Sequence, residues 1–417
     1  MTAPIVVLAA LAVLARPQTP SEQPTPETIV EIRVHGNHTT PDADVLRIAG
    51  VAPGSPFSPS LVAAAEERLR QSGRFRSVEV RKRYLSIEDA SAIVLLILVQ
   101  EQAGVSPDVP APGPMRRLKA STMWLPVLAF DDGYGFTYGA RVSFVDVLGR
   151  RTRLSVPLTW GGERRASVDV ERRFLSGPLT RVVVEGGITQ REHPSLDVDD
   201  RRTGAGLRVE RAMGPWFRAG ARGRLTDVRF GDDTDRLATA GVEATLDTRR
   251  DPAFPRNALY ATAAVEGLWF DRAPDNSRVT VDTRAYVGLV RQVVLVARAL
   301  EVWSPHALPV FEQALLGGAA SLRGFRLGFR TGDRLTAGSA ELRMPFTSPL
   351  RVARTGVAVF ADTGTAYGAG AHLSDARWDT SVGAGVFVTA PIVAMRLDVA
   401  HGFDAGTRVH FGLGLSF

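Results

Sequence analysis

The last ten residues place the tightest constraint on this chain. Arg408 to Phe417 alternate strictly, with Val409, Phe411, Leu413, Leu415 and Phe417 on one side and His410, Gly412, Gly414 and Ser416 on the other. A strand has period two, so one face is a continuous apolar ribbon and the other is polar or bare. That is the pattern required where one side meets hydrocarbon and the other a wet interior. An edge strand of a soluble sandwich satisfies the same alternation, so the rest of the chain must discriminate.

From about Ser121 onward the alternation recurs, broken by Gly, Asp and Pro, without a convincing amphipathic helix. Phe136, Tyr138, Ala140, Val142 and Phe144 form one apolar face; Val279, Val281, Thr283, Ala285, Val287 and Leu289 form another; Trp378, Thr380, Val382, Ala384, Val386 and Val388 a third. Such segments amount to roughly sixteen antiparallel strands, an even number in the range of transmembrane barrels. Closure would remove the exposed edges so many strands otherwise present. A mean hydropathy of zero fits, because lipid-facing and lumen-facing residues cancel in any average. Charge falls on the face opposite the apolar residues: Arg153, Asp169, Glu171, Arg173, Arg208, Glu210, Arg218, Arg222, Arg224, Arg284 and Glu341. In a sandwich these would be solvated and in a barrel they would line the lumen, so this alternation alone does not decide.

The amino-terminal part reads differently. Ile5 to Ala15 is the one continuous apolar run, about half of what a spanning helix needs, and Val13-Leu14-Ala15 before Arg16 has the small-residue look of a cleavage site. Residues 1–15 are therefore expected to be an export signal, although no Lys or Arg precedes the run. The Pro-rich stretch 16–27 reads as a solvated tether. Residues 28–102 read as a small α+β domain. Ile29–Val34 is a strand ending at the turn pair Gly36-Asn37, and Val45–Ile48 is helical. Ser58-Pro59 caps a second helix that Gly73 ends, and Val78–Tyr84 and Ile93–Val99 are strands. A linker over 103–118 then leads to a barrel over 119–417.

The order strand, helix, helix, strand, strand, with the GN turn, the LRQSGRFRSVEV segment and Glu101 at the end of the last strand, resembles a polypeptide-transport-associated (POTRA) domain. Such domains offer sheet edges to extended peptides, which bind through main-chain hydrogen bonds. The spacing of His410, Gly412, Leu415 and terminal Phe417 resembles the carboxy-terminal recognition signal of bacterial outer-membrane barrels. Ser304 to Arg334 is the longest apparent connection, between the eleventh and twelfth strands. It carries Arg323-Gly324-Phe325, which resembles the sixth-loop RGF motif of outer-membrane assembly factors and two-partner secretion transporters, the BamA/TamA-type superfamily. Gly338–Glu341 (GSAE) on the twelfth strand and Phe360-Ala361-Asp362-Thr363-Gly364 on the thirteenth fit the same family, as does Asp247 to Pro255 as its DxRxxP connection.

The resemblance implies that loop six folds into the barrel and that Arg323 meets Asp362 and Glu341. Period two puts Phe360, Asp362 and Gly364 toward the lumen. A guanidinium offers carboxylates a planar fork and gains most where water is limited. The implied fold is an all-β transmembrane barrel preceded by one POTRA domain. The implied location is the outer membrane of a Gram-negative-type bacterium, with the POTRA domain in the periplasm. The implied work is insertion of barrel proteins or passage of polypeptide, on a weakly paired seam between Thr122–Phe130 and Val409–Phe417. Its expected partners are outer-membrane lipid, extended client polypeptides and other envelope assembly components. A passive pore and a dedicated two-partner secretion transporter remain as alternatives.

Other classes find little support. Net charge is +6 over 417 residues, too modest an excess to suggest nucleic acid. Cysteine is absent, which removes disulfides, thiolate metal sites and cysteine nucleophiles. No GxSxG, HExxH, GxxxxGK or GxGxxG occurs, and His35 and His38 flank a turn with no third ligand nearby. No enzyme activity, metal or cofactor is expected.

Overall fold

The computed structural model describes residues 27–86, 91–106, 111, 113–131, 133–346, 353–390 and 393–415. The segments expected to be an export signal and, but for Glu27, a tether lie outside the described residues, as do the terminal Ser416 and Phe417. Two compact units divide between Ala120 and Ser121.

The first unit holds β1 (Thr28–His35), α1 (Asp42–Ala49), α2 (Pro59–Gln71), β2 (Phe75–Tyr84), β3 (Ala92–Glu101) and α3 (Pro114–Ser121), the last reaching one residue past the division. The sheet order is β1-β3-β2, with β1 parallel and β2 antiparallel to the central strand. The centre is a near-continuous apolar run, AIVLLILV, because it is flanked on both sides, and its Ile93, Leu95 and Ile97 are fully buried. Leu95 and Ile97 pack with Ile29, Val45 and Leu69 in one core. Ser58 caps α2 by accepting from the Leu61 amide at 3.1 Å, and Pro59 supplies a preset first turn. Gly36 (φ +91°) is a true glycine position, since a Cβ there would sit 1.9 Å from the Val99 carbonyl oxygen. The Glu101 carboxylate accepts from the amides of Thr39 (3.0 Å) and Thr40 (2.6 Å), tying the end of β3 to the entrance of α1.

One element departs from the sequence reading. Helix α3 occupies part of the expected 103–118 linker and the first residues assigned to the barrel. Pro114 begins it in the position proline tolerates best, and Arg116 fastens it by donating to the Gly104 carbonyl (2.9 Å) and Ser106 Oγ (3.0 Å). With only Met115 and Leu118 as large apolar residues among basic ones, its periodicity is too short to register.

The second unit is a closed sixteen-stranded barrel. Its strands are β4 (Thr122–Asp131), β5 (Gly135–Val145), β6 (Thr152–Gly161), β7 (Arg164–Arg173), β8 (Arg181–Glu192), β9 (Asp199–Ala212), β10 (Phe217–Phe230), β11 (Asp233–Asp247), β12 (Ala258–Phe270), β13 (Asn276–Gly288) and β14 (Val294–Trp303). A short hairpin, β15 (Ala314–Leu316) with β16 (Arg330–Gly332), stands inside loop six. The wall resumes with β17 (Arg334–Pro345), β18 (Arg354–Tyr367), β19 (Asp379–Thr389), β20 (Val393–Gly402) and β21 (Gly406–Leu415). No described helix is long and apolar enough to cross a membrane; the barrel would cross with its strands.

Period two sorts the barrel side chains. Val184, Leu225, Val242, Val265 and Trp160 are exposed on the outer face. Inside, charges meet in ladders: Arg181 bridges Glu171 and Glu210, Arg222 bridges Glu243 and Glu266, and Asp282 takes Arg284 and Arg298. These luminal charges therefore offset one another across neighbouring strands. Closure is uneven. The β20–β21 ladder runs from Val393↔Leu415 to Gly402↔Gly406, whereas among the described residues only Leu413↔Phe130 pairs β21 with β4.

Candidate functional site

Loop six folds into the barrel and seats its RGF turn on the terminal strands. The Arg323 guanidinium grips Asp362 with a fork: Nε donates to Oδ2 at 2.8 Å and Nη2 to Oδ1 at 2.7 Å. Its Nη1 donates to Glu341 Oε2 at 2.7 Å and its Nη2 also reaches Ser339 Oγ at 3.0 Å. The main chain is engaged as well. The Arg323 amide donates to Asp362 Oδ2 at 3.1 Å, and its carbonyl lies 3.2 Å from His410 Nε2. The guanidinium carbon stands 3.4 Å from the Phe360 ring centre, so a cation–π contact covers the face its planar hydrogen bonds leave free. Arg323 and Asp362 side chains are 8% and 1% exposed, which makes this a nearly dry ion pair.

The local sequence explains the placement. On β18, Phe360 and Asp362 share the inner face while Val359 is exposed outside. Glu341 on β17 pairs in register with Phe360, so its carboxylate rises beside the same ring. Gly324 is obligatory by space: a Cβ would meet the Gly402 amide nitrogen at 2.5 Å and Ser381 Cβ at 2.6 Å. Phe325 is buried, packs with Leu316, Leu322 and Leu335, and lies 4.6 Å from the Phe329 ring centre to centre. Gly364 takes no polar part; a Cβ there would press on Leu316 at 2.9 Å.

Several members of the site were missed in the sequence. Arg396 on β20 forks onto Glu341 at 2.7 and 2.9 Å and donates to Asp398 Oδ2 at 2.6 Å; Asp398 in turn lies 3.5 Å from Arg323. Arg343 adds a bond to Glu341 at 2.6 Å. Three guanidiniums therefore face three carboxylates. The spacing of Arg396 and Asp398, two apart on one face of a strand, was the available signal.

The root of loop six has its own anchor, also unanticipated. Glu312 is held by Arg202 of β9 (2.7 Å) and Arg278 of β13 (2.5 Å). Arg202 also donates to the Phe311 carbonyl at 2.6 Å, and the Phe311 ring lies 6.2 Å from those of Phe230 and Phe270. Farther along, Arg330 pairs with Asp379 at 2.5 Å.

The carboxy-terminal residues are partly described. Val409 is 63% exposed on the outer face, whereas His410 is buried at 2% on the inner one. Gly412 is roomy: a Cβ would find its nearest neighbour, Arg396 Cβ, at an ordinary 3.8 Å. Phe411 lies 5.9 Å from Phe130 across the seam. Strand β21 ends at Leu415, and Phe417 lies outside the described residues. The DxRxxP segment opens a connection over 248–257, longer than the tight turn its prolines suggest, and Arg249 forks onto Asp247 there at 2.9 Å through both Nε and Nη2.

The family model for the Omp85 superfamily domain matches residues 217–417, which contain the RGF turn, its seat and the closing strand. Residues 217–417 carry an Omp85 superfamily domain. Residues 27–102 match the POTRA family described as surface antigen variable number repeat. Among solved structures, this chain is similar to BamA of Haemophilus ducreyi lacking POTRA domains 1–3. The TM-score is 0.63 at 15% identity, over 93% of this chain and 84% of that one. It is also similar to CdiB of Acinetobacter baumannii, with a TM-score of 0.53 at 12% identity over 94% of this chain and 74% of that one. A curated relative, the chloroplastic outer envelope protein 80 of Arabidopsis thaliana, is 34% identical over 122 residues. That match covers 27% of this chain and 15% of the plant protein's length. The fold is that of an outer-membrane barrel with an amino-terminal POTRA domain.

Proposed function

We propose that this barrel inserts barrel proteins into the outer membrane, or passes extended polypeptide across it, by exchanging strands at its own β4–β21 seam. The observation that carries the reading is the unevenness of closure. Among the described residues every other pair of neighbouring barrel strands shares at least six ladder pairs, even β6 and β7 whose ladder is interrupted, while β4 and β21 share the one pair Leu413↔Phe130. A sparsely paired strand edge is a template for an incoming strand. The POTRA sheet offers β1 and β2 as edges where an extended client could first bind. The Arg323 seat works as a clasp, with Arg323, Gly324, Phe325, Glu341, Phe360, Asp362 and Gly364 as its residues, and it keeps loop six from obstructing or unravelling the wall. His410, Gly412, Leu415 and Phe417 act as the chain's own assembly signal. The work is binding and strand exchange, with no covalent chemistry and no cofactor; the partners are membrane lipid, unfolded clients and other envelope components.

Depletion of the protein followed by quantitative outer-membrane proteomics tests the reading. Loss of a defined set of barrel or secreted proteins is the expected result. An unchanged outer-membrane and secreted proteome would leave a passive barrel.

A further inference from the structure

His410 occupies the polar position of the carboxy-terminal signal, yet its ring reaches loop six. Its Nε2 lies 3.2 Å from the Arg323 carbonyl oxygen, and because a carbonyl only accepts, Nε2 carries the proton. The same Arg323 offers its amide to Asp362 on β18 at 3.1 Å. One residue of the loop is thus held from both ends of its main chain, by β18 on one side and by the last strand on the other. Between them stand three inter-strand spacings, about 14 Å of barrel wall. Directly opposite His410 across the β20–β21 ladder is Asp398, itself 3.5 Å from the Arg323 guanidinium. Gly324, pressed against Gly402 and Ser381, completes the contact with β19 and β20.

The position of β21 relative to β4 needs such a brace. On its β20 side the strand is fixed by a full ladder, but on its β4 side the described residues give it one pair and one ring contact, Phe411 with Phe130. A ladder this sparse leaves the gap between the strands open to small lateral shifts. We infer that His410 is the positioning residue through which a seated loop six fixes the closing strand, so that clasp and seam behave as one two-state element. Losing the clasp would then loosen the seam, although Arg323 itself touches neither β4 nor the outer edge of β21. The inference rests on the seam being the working part of the barrel, but it concerns the coupling and not the client.

Spin labels test it in the full chain in lipid nanodiscs. Cysteine is absent, so Leu128→Cys on β4 and Val409→Cys on β21, both exposed outside, give one defined label pair. Wild type should give a single narrow distance. His410→Ala should lengthen and broaden it while Arg326 in loop six stays protected from trypsin, because the fork onto Asp362 remains. His410→Gln, whose side-chain amide can donate to the same carbonyl, should restore much of the narrow distance. Arg323→Ala should both lengthen the distance and expose Arg326. An unchanged distance in His410→Ala, or an unseated loop in Arg323→Ala with the seam at its wild-type distance, overturns the coupling. Failure of Gln to restore what Ala loses would reduce His410 to packing and overturn it equally.

Should His410→Ala fail to assemble, the histidine ring itself is the probe. Its ¹⁵N signals, assigned by difference against His410→Gln, should show the Nε2-protonated tautomer in wild type and change in Arg323→Ala; an unaltered ring there refutes the link. Loss of client delivery plays no part in either readout, so a failure of the proposed function remains distinguishable.

Discussion

Replacing Arg323 by alanine removes one cation from a nearly dry cluster in which three guanidiniums face three carboxylates. The loss is unevenly shared. Glu341 keeps Arg396 and Arg343. Asp362 loses both prongs of the fork and retains the Ser339 hydroxyl at 2.7 Å and the main-chain amide of residue 323 at 3.1 Å. An uncompensated buried carboxylate costs about 3–5 kcal/mol, and two surviving donors place Asp362 near the lower end, about 3 kcal/mol. Removing both charges should cost less than removing one, because no orphan is left. The double variant Arg323→Ala/Asp362→Asn should therefore recover part of the loss. Arg323→Lys should recover little, since an ammonium cannot supply two parallel bonds. Exchanging the charges would put the aspartate at position 323 directly beside Glu341 and Asp398, so that swap should recover less than the neutral pair. Limited trypsin digestion of barrels still migrating as folded before boiling reads the seat, through cleavage at Arg326 and Arg330, and client delivery reads the consequence. Wild-type protection together with wild-type delivery in Arg323→Ala would refute the clasp and leave the RGF turn as packing.

Glu312→Gln should release the root of loop six without unseating Arg323, because Arg202 and Arg278 would then face a neutral amide. Ion conductance in planar bilayers should rise while Arg326 stays protected, and conductance at the wild-type level would show that the root anchor does not close the lumen. Gly412→Ala should leave barrel stability within about 0.5 kcal/mol, since its Cβ enters ordinary contact; any loss of function there would come from the signal and not from the fold. Burial raises the Glu101 carboxyl, but the Thr40 and Thr39 donors outweigh it and hold it below its ordinary value. The stabilisation is therefore present above the unfolded carboxylate range and lost as pH falls through the lower folded value. Hydrogen exchange at Thr39 and Thr40, corrected for intrinsic rate, should accelerate over that acid range in wild type and be fast already at neutral pH in Glu101→Gln.

The wall was legible because a barrel strand records its two environments in alternate residues, as Phe360 and Asp362 against Val359 do. The seat was partly legible: RGF and FADTG mark Arg323 and Asp362, while Arg396, Asp398 and Arg343 carry no motif and looked like any other luminal charges. Glu312 was invisible for a different reason. Its partners Arg202 and Arg278 lie on strands separated by three others, and only closure of the barrel brings them together over one loop. His410 was read as an assembly signal from its spacing, and nothing local could place a loop carbonyl beside its ring. Helix α3 escaped because eight residues with two large apolar side chains give too little periodicity.

The central claim is that the β4–β21 seam must open for clients to be delivered. The direct measurement locks it. In a chain without cysteine, Phe130→Cys with Leu413→Cys places a thiol pair at the one described ladder contact. Oxidation should abolish client delivery, and reductant should restore it with the barrel intact throughout. Delivery at the wild-type rate by a fully cross-linked barrel would contradict the account.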